Sequence, residues 1–117
     1  MKNTLRALTL GLATMLAGTA AFAAYPDKPI TMIVGYSAGG ATDLTARAVV
    51  PYLEKSLGAK IVVMNRAGAG GEIAFAALAA APADGYTVGF INSPNVVSIP
   101  IERPGPFHWE KLDLLGN

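Results

Sequence analysis

Apolar and polar positions along this chain fall into alternating blocks with two different periods. Ile30–Val34 is an apolar, β-branched run, the pattern of a strand buried on both faces. From Ala41 to Leu57 the period changes. Leu44, Ala48, Tyr52, Leu53 and Leu57 recur at three- and four-residue spacing, which predicts a helix with those residues on its inner face. Pro51 predicts a kink in that helix, and Gly58 its end. Lys60–Asn65 reads as a second strand, with Ile61 to Met64 apolar throughout. An alanine-rich helix follows over residues 71–81 with Ile73, Ala77 and Leu78 inward, and then a turn at Pro82–Gly85. Tyr86–Ile91 reads as a third strand. Val96–Ile101 suits a short strand or an extended loop, and Arg103–Asn117 offers only Pro-Gly turns and a short amphipathic stretch.

The order β-α-β-α-β, with helices of this length between apolar strands, predicts an α/β fold with a parallel sheet and right-handed crossovers. Two glycine turns, at Gly39-Gly40 and at Arg66–Gly71, then follow the carboxyl ends of the first two strands. Open α/β sheets bind ligands along that edge. The two turns are therefore expected to form one site.

Composition changes the picture mainly at the start. Lys2 and Arg6 precede the apolar stretch Ala7–Ala17, and Ala21-Phe22-Ala23 supplies a small-x-small cleavage site. This is the pattern of a secretory signal peptide over residues 1–23, cut after Ala23. A transmembrane anchor needs about 20 strongly apolar residues, and this segment is shorter and rich in Ala, Thr and Gly. Without it, seven basic residues face eight acidic ones, a net of −1. The remaining Lys and Arg are scattered, so a nucleic-acid surface is not expected. No cysteine occurs, which excludes disulfides, cysteine catalysis and cysteine-based zinc sites. The residues point to neither a metal nor a cofactor.

Ser37 lies in Gly35-Tyr36-Ser37-Ala38-Gly39, which fits the G-x-S-x-G nucleophile elbow of hydrolases. Asp84 and the single histidine, His108, follow in the order an esterase triad needs. Against this, almost no chain precedes Ser37 to supply the other half of an oxyanion hole. A phosphate loop fails because Ala41 stands where its lysine belongs, and the dinucleotide fingerprint fails at Ile73. Binding needs no nucleophile. Backbone N–H groups around Gly39–Thr42 and Gly70–Glu72, at helix starts, suit a carboxylate. Each hydrogen bond to a charged group contributes about 1.5–3 kcal/mol. Several together support micromolar affinity, about −8 kcal/mol, after the entropy of association. Ser37, Thr42, Asn65, Asn92 and Ser93 are the side chains able to add direction. Thr42 and Asp43 are placed to complement the first N–H groups of the helix, and an exposed Asp43 would repel an anion. Capping or stiffening of the glycine turn is the task that suits it. Arg66 suits a carboxylate contact or a solvated loop equally, and Glu72 suits a dipole partner.

Three segments, YPDKPITMIVGYSAGGATDLTAR, IVVMNRAGAGGEIA and PADGYTVGF, carry a resemblance. In order and spacing they are similar to the start of solute-binding proteins of the tripartite tricarboxylate transporter (Bug) family. The resemblance implies a periplasmic, two-lobed venus-flytrap receptor of type 2-like architecture. It would bind a small di- or tricarboxylate or related acid and deliver it to a membrane permease. It also implies contacts from the loops after the first two strands, which map onto Tyr36–Thr42, with Tyr36, Ser37, Ala38, Gly39, Gly40 and Thr42 as candidate contacts, and onto Arg66–Gly71, with Gly68, Ala69, Gly70 and Gly71. Backbone groups and bridging water would make them, without metal. Met64 and Ala74 depart from the family pattern outside that grip. Family members continue well past residue 117, so residues 24–117 are expected to be the N-terminal part of lobe one, a fragment with weak binding and marginal stability.

Overall fold

A computed structural model describes residues 24–105 and 107–116. The signal peptide expected over residues 1–23 lies outside these. The elements are β1 (Ile30–Val34), α1 (Ala41–Leu57), β2 (Ile61–Asn65), a 3₁₀ turn (Ala69–Gly71), α2 (Glu72–Ala79), β3 (Thr87–Phe90), α3 (Ser93–Glu102) and a second 3₁₀ turn (Trp109–Lys111). β1 is the central strand and pairs in parallel with β2 on one side and β3 on the other. The expected α/β class and parallel sheet are what the chain adopts.

Successive side chains of β1 point to opposite faces, and both faces are covered. Ile30, Met32 and Val34 pack with Ala46 and Ile61 beneath α1. Ile33 joins Ala74, Phe75, Val96, Ile99 and Phe107 on the other face, beneath α2 and α3. The strand order explains the division. Crossovers of one hand that step to opposite sides of a central strand leave their helices on opposite faces. Phe75 and Phe107, both fully buried, meet with ring centroids 5.5 Å apart.

Helix α1 has its expected bounds and runs unbroken through Pro51, which is exposed; Gly58 ends it, donating its N–H to the Glu54 carbonyl at 2.9 Å. Its inner face differs. Asp43 and Ala46 are buried and Val50 and Leu53 partly so, whereas Leu44, Ala48, Tyr52 and Leu57 are exposed. Apolar residues occupy both sides of this helix, so their count does not choose a face. The close approach of α1 to the sheet favours small Ala46, and hydrogen bonds bring the charged Asp43 inside. In α2 the inward residues are Ala74 and Phe75, while Ile73 is half exposed and rests against Gly68. Residues 93–102 are helical rather than extended. Asn92 and Ser93 followed by Pro94 form a helix-start signature, since proline is favoured in the first turn.

Candidate functional site

All three loops at the carboxyl edge of the sheet meet. Arg66 donates its N–H to the Val34 carbonyl at 2.8 Å, and the Tyr36 hydroxyl donates to the Gly70 carbonyl at 3.2 Å. The Asn95 side-chain amide, from the first turn of α3, donates to the same carbonyl at 3.1 Å. Thr42, opening α1, donates to the Asn92 side-chain oxygen at 3.5 Å. Tyr36, Ser37, Ala38, Gly39, Gly40 and Thr42 thus share one edge with Asn65, Gly68, Ala69, Gly70 and Gly71, and with Asn92 and Ser93. Because the order is β2-β1-β3, the chain leaves β1 to one side and returns on the other, and α1 and α3 both begin at this edge. That is a topological switch point, the place where open α/β sheets bind ligands.

Not every backbone donor expected here is free. The Gly39 N–H donates to the Asp43 carboxylate at 2.8 Å, Gly40 to the Ser37 carbonyl at 3.1 Å and Gly71 to the Gly68 carbonyl at 2.9 Å. No side chain caps α1 among the described residues, and Leu44 is the first to donate into the helix, to Gly40. Thr42 and Asp43 therefore do not cap it. The N–H groups of Ala41, Thr42 and Asp43 lack partners within the helix and carry its positive dipole end.

Asp43 is 2% exposed and sits within this edge. Arg47 beside it, then the Gly39 amide and Asn65, hold its carboxyl down to about 2. Its charge does not face solvent, where it would repel an anion, but is buried and paired with Arg47 at 3.0 Å; of the two tasks expected of it, its bond to Gly39 serves the stiffening of the glycine turn. Asn65 is also committed, through bonds to Tyr36, Asp43 and Arg47. Burial raises the Tyr36 phenol above its ordinary value, so it stays a neutral donor at pH 7. Glu72 pairs with Arg103 at 3.4 Å, and Arg103 reaches the Ala69 carbonyl at 3.4 Å, tying α3 to the second glycine turn. Ser37, Ala38, Ser93 and Arg66 are exposed on the rim.

The esterase arrangement is not assembled. Asp84 precedes β3 at the opposite end of the sheet from Ser37, and its carboxylate accepts the Tyr86 N–H at 3.0 Å. Asn95 and Arg47 were not expected here. A helical interpretation of Ser93-Pro94-Asn95 would have located Asn95, whereas Arg47 shows only its i,i+4 spacing from Asp43. Two grooves of about 350 and 420 Å³ lie against β3 and α3 along Leu112–Gly116, the second touching the loop edge at Ser93. Their lining is mainly apolar and lacks the converging polar groups of the loop edge.

The model of the family described as tripartite tricarboxylate transporter family receptor matches residues 45–113. The chain belongs to this family. Among its receptor relatives, protein BugT of Bordetella pertussis is 53% identical over 64 residues, 55% of this chain and 20% of that protein. A UPF0065 protein of Pseudomonas sp. strain P51 is 38% identical over 96 residues, 82% of this chain and 28% of that one. The chain thus spans less than a third of the length of these curated relatives. A solved periplasmic transporter is similar to this receptor chain, with TM-score 0.68 and 39% identity over 73% of this chain and 29% of its own. A Rhodopseudomonas palustris protein with adipate gives TM-score 0.53 and 38% identity, and MatC from that organism with bound malate gives 0.54 and 37%; each match covers 56% of this chain and 22% of the other.

Proposed function

We propose that this chain supplies the first-lobe wall of a periplasmic receptor for a small di- or tricarboxylate, exported by residues 1–23 and delivering its ligand to a membrane permease of the tripartite tricarboxylate type. The convergence of the three loops on Gly70 and Asn92, beside the uncapped start of α1, carries this function. The N–H groups of Ala41, Thr42 and Asp43 hold one ligand carboxylate, Ser37, Asn92 and Ser93 add side-chain donors around it, and the Thr42 hydroxyl orients the Asn92 amide. Ala38, Gly39 and Gly40 shape the turn. Gly68 to Gly71 form the opposite rim. Neutral donors and a helix terminus suit an anion, and the structural neighbours with adipate and malate support the acid class. Binding requires neither cofactor nor metal, and Ser37 serves as a hydrogen-bonding wall residue, not a nucleophile.

Titration calorimetry with malate, adipate, succinate and citrate tests this. Saturable heat with at least one acid is the expected result, and silence toward the whole panel would overturn it. Turnover of a nitrophenyl ester that disappears in Ser37→Ala would instead favour a hydrolase.

A further inference from the structure

Three side chains beneath the β1–α1 turn are bonded to one another and to that turn. The Arg47 Nε donates to both carboxylate oxygens of Asp43 at 3.0 Å, and its Nη2 donates to Asn65 Oδ1 at 3.1 Å. The Asn65 Nδ2 donates to Asp43 Oδ1 at 2.9 Å and to the Tyr36 carbonyl at 3.0 Å. The Gly39 N–H completes the set on Asp43 Oδ2 at 2.8 Å. A carboxamide has two N–H donors, and both of those on Asn65 are engaged. Arg47 balances the charge of Asp43, so the cluster adds no net charge beside the loop.

We propose that Asp43, Arg47 and Asn65 are positioning residues of the carboxylate site, and that their side chains hold it without touching the ligand. The inference rests on the function proposed above. The cluster grips the turn at both ends, at Tyr36 and Gly39, and anchors it to the end of β2 and the first turns of α1. An anion site made of main-chain N–H groups depends on their direction, and a glycine turn alone does not hold one direction. Ordering the turn before the ligand arrives removes that cost from binding. Asn65 thereby becomes a strut between two loops instead of a ligand contact.

The test uses the full chain, with malate and adipate as probes, at a temperature where each variant is folded. Asn65→Ala and Asp43→Asn are each expected to weaken binding about tenfold, and the double variant little more, because groups in one network are not additive. In ligand-free protein, amide exchange at Gly39 is expected to speed up at least about tenfold in both variants. Unchanged affinity in folded variants, or unchanged Gly39 exchange, overturns the proposal. Losses that multiply to about a hundredfold in the double variant also overturn it, since independent ligand contacts behave that way. Arg47→Lys keeps the charge but removes the fork, and should shift affinity and exchange in the same directions. Should Asp43→Asn not fold, unchanged affinity in Arg47→Lys overturns the proposal on its own. A wild type that binds neither probe nor any acid of the wider panel overturns the carboxylate function itself; failure of the positioning role alone leaves wild-type binding intact.

Discussion

The side-chain amide of Asn65, at the end of β2, donates to the main-chain carbonyl of Tyr36 beyond β1 at 3.0 Å. The same nitrogen donates to Asp43 at 2.9 Å. One carboxamide therefore joins two loops that are 29 residues apart in the chain, at a point where ladder hydrogen bonds between β1 and β2 have ended.

Substitution at Asn65 tests this bond through stability. Asn65→Ala leaves the Tyr36 carbonyl without its donor, at a cost of about 1–3 kcal/mol. Asn65→Asp is nearly the same shape but turns an oxygen toward the Tyr36 carbonyl and the Asp43 carboxylate. It should lose more than the alanine variant at pH 7 and recover part of the difference as the pH falls. Urea denaturation at two pH values checks the order, and an aspartate variant as stable as wild type would contradict it.

Acid should weaken the fold through Asp43. Its carboxyl is held at about 2, chiefly by Arg47, whereas an aspartate in the unfolded chain titrates near about 3.9. The unfolded state therefore binds more protons between those values, so stability falls as pH falls through that window. The Asp43 contribution is fully present above about pH 4 and lost near pH 2. Glu54 is lowered too, by the Ile61 N–H first and then Lys60, and adds to the same trend. Denaturation midpoints from pH 6 to pH 2 should decline less steeply in Asp43→Asn than in wild type. Parallel curves would show that Asp43 carries no depressed pKa.

Two glycines in the glycine turns should respond differently to alanine. At Gly71, φ is 106° and a Cβ would stand 2.7 Å from the buried Phe75 ring. Gly71→Ala combines backbone strain with overpacking and should cost about 2–4 kcal/mol. At Gly39, φ is 79° but a Cβ meets nothing within 4 Å. Gly39→Ala should cost only about 1–2 kcal/mol, since its N–H still reaches Asp43. Similar losses at the two positions in thermal or chemical denaturation would contradict this ranking.

The orientation of α1 predicts which of its apolar residues matter. Leu44 and Tyr52 are 60% and 76% exposed, whereas Ala46 is 0% exposed. Leu44→Ala and Tyr52→Ala should stay within about 0.5 kcal/mol of wild type. Ala46→Leu should cost about 1–3 kcal/mol by forcing the helix away from the sheet. The reverse ranking would place the opposite side of α1 on the core.

The sequence by itself determined the order of strands and helices through Tyr86–Ile91, the parallel sheet, and the edge where the turns at Gly39-Gly40 and Arg66–Gly71 meet. These follow from local periods and from glycine positions, which depend on near neighbours in the chain. It also carried enough of the motif order to point to the receptor family. Only the tertiary structure decided which side of α1 faces inward, because both sides are apolar and the deciding partners lie in β1 and β2. The helix over residues 93–102 was recorded locally in Ser93-Pro94, but Val96, Val97, Ile99 and Ile101 suit an extended segment as well as a helical face. For Asp43 the sequence carried the stiffening of the glycine turn, seen in its bond to Gly39, but not its burial. A carboxylate near a helix start is ordinarily solvated, and its burial depends on Arg47 one turn along and Asn65 on the next strand. Gly39 and Gly40 first stand out as donors for an anion, but folding directs their N–H groups to Asp43 and Ser37. The turn is shaped by those internal bonds, and the next amides along, at the start of α1, are the ones without a partner inside the helix.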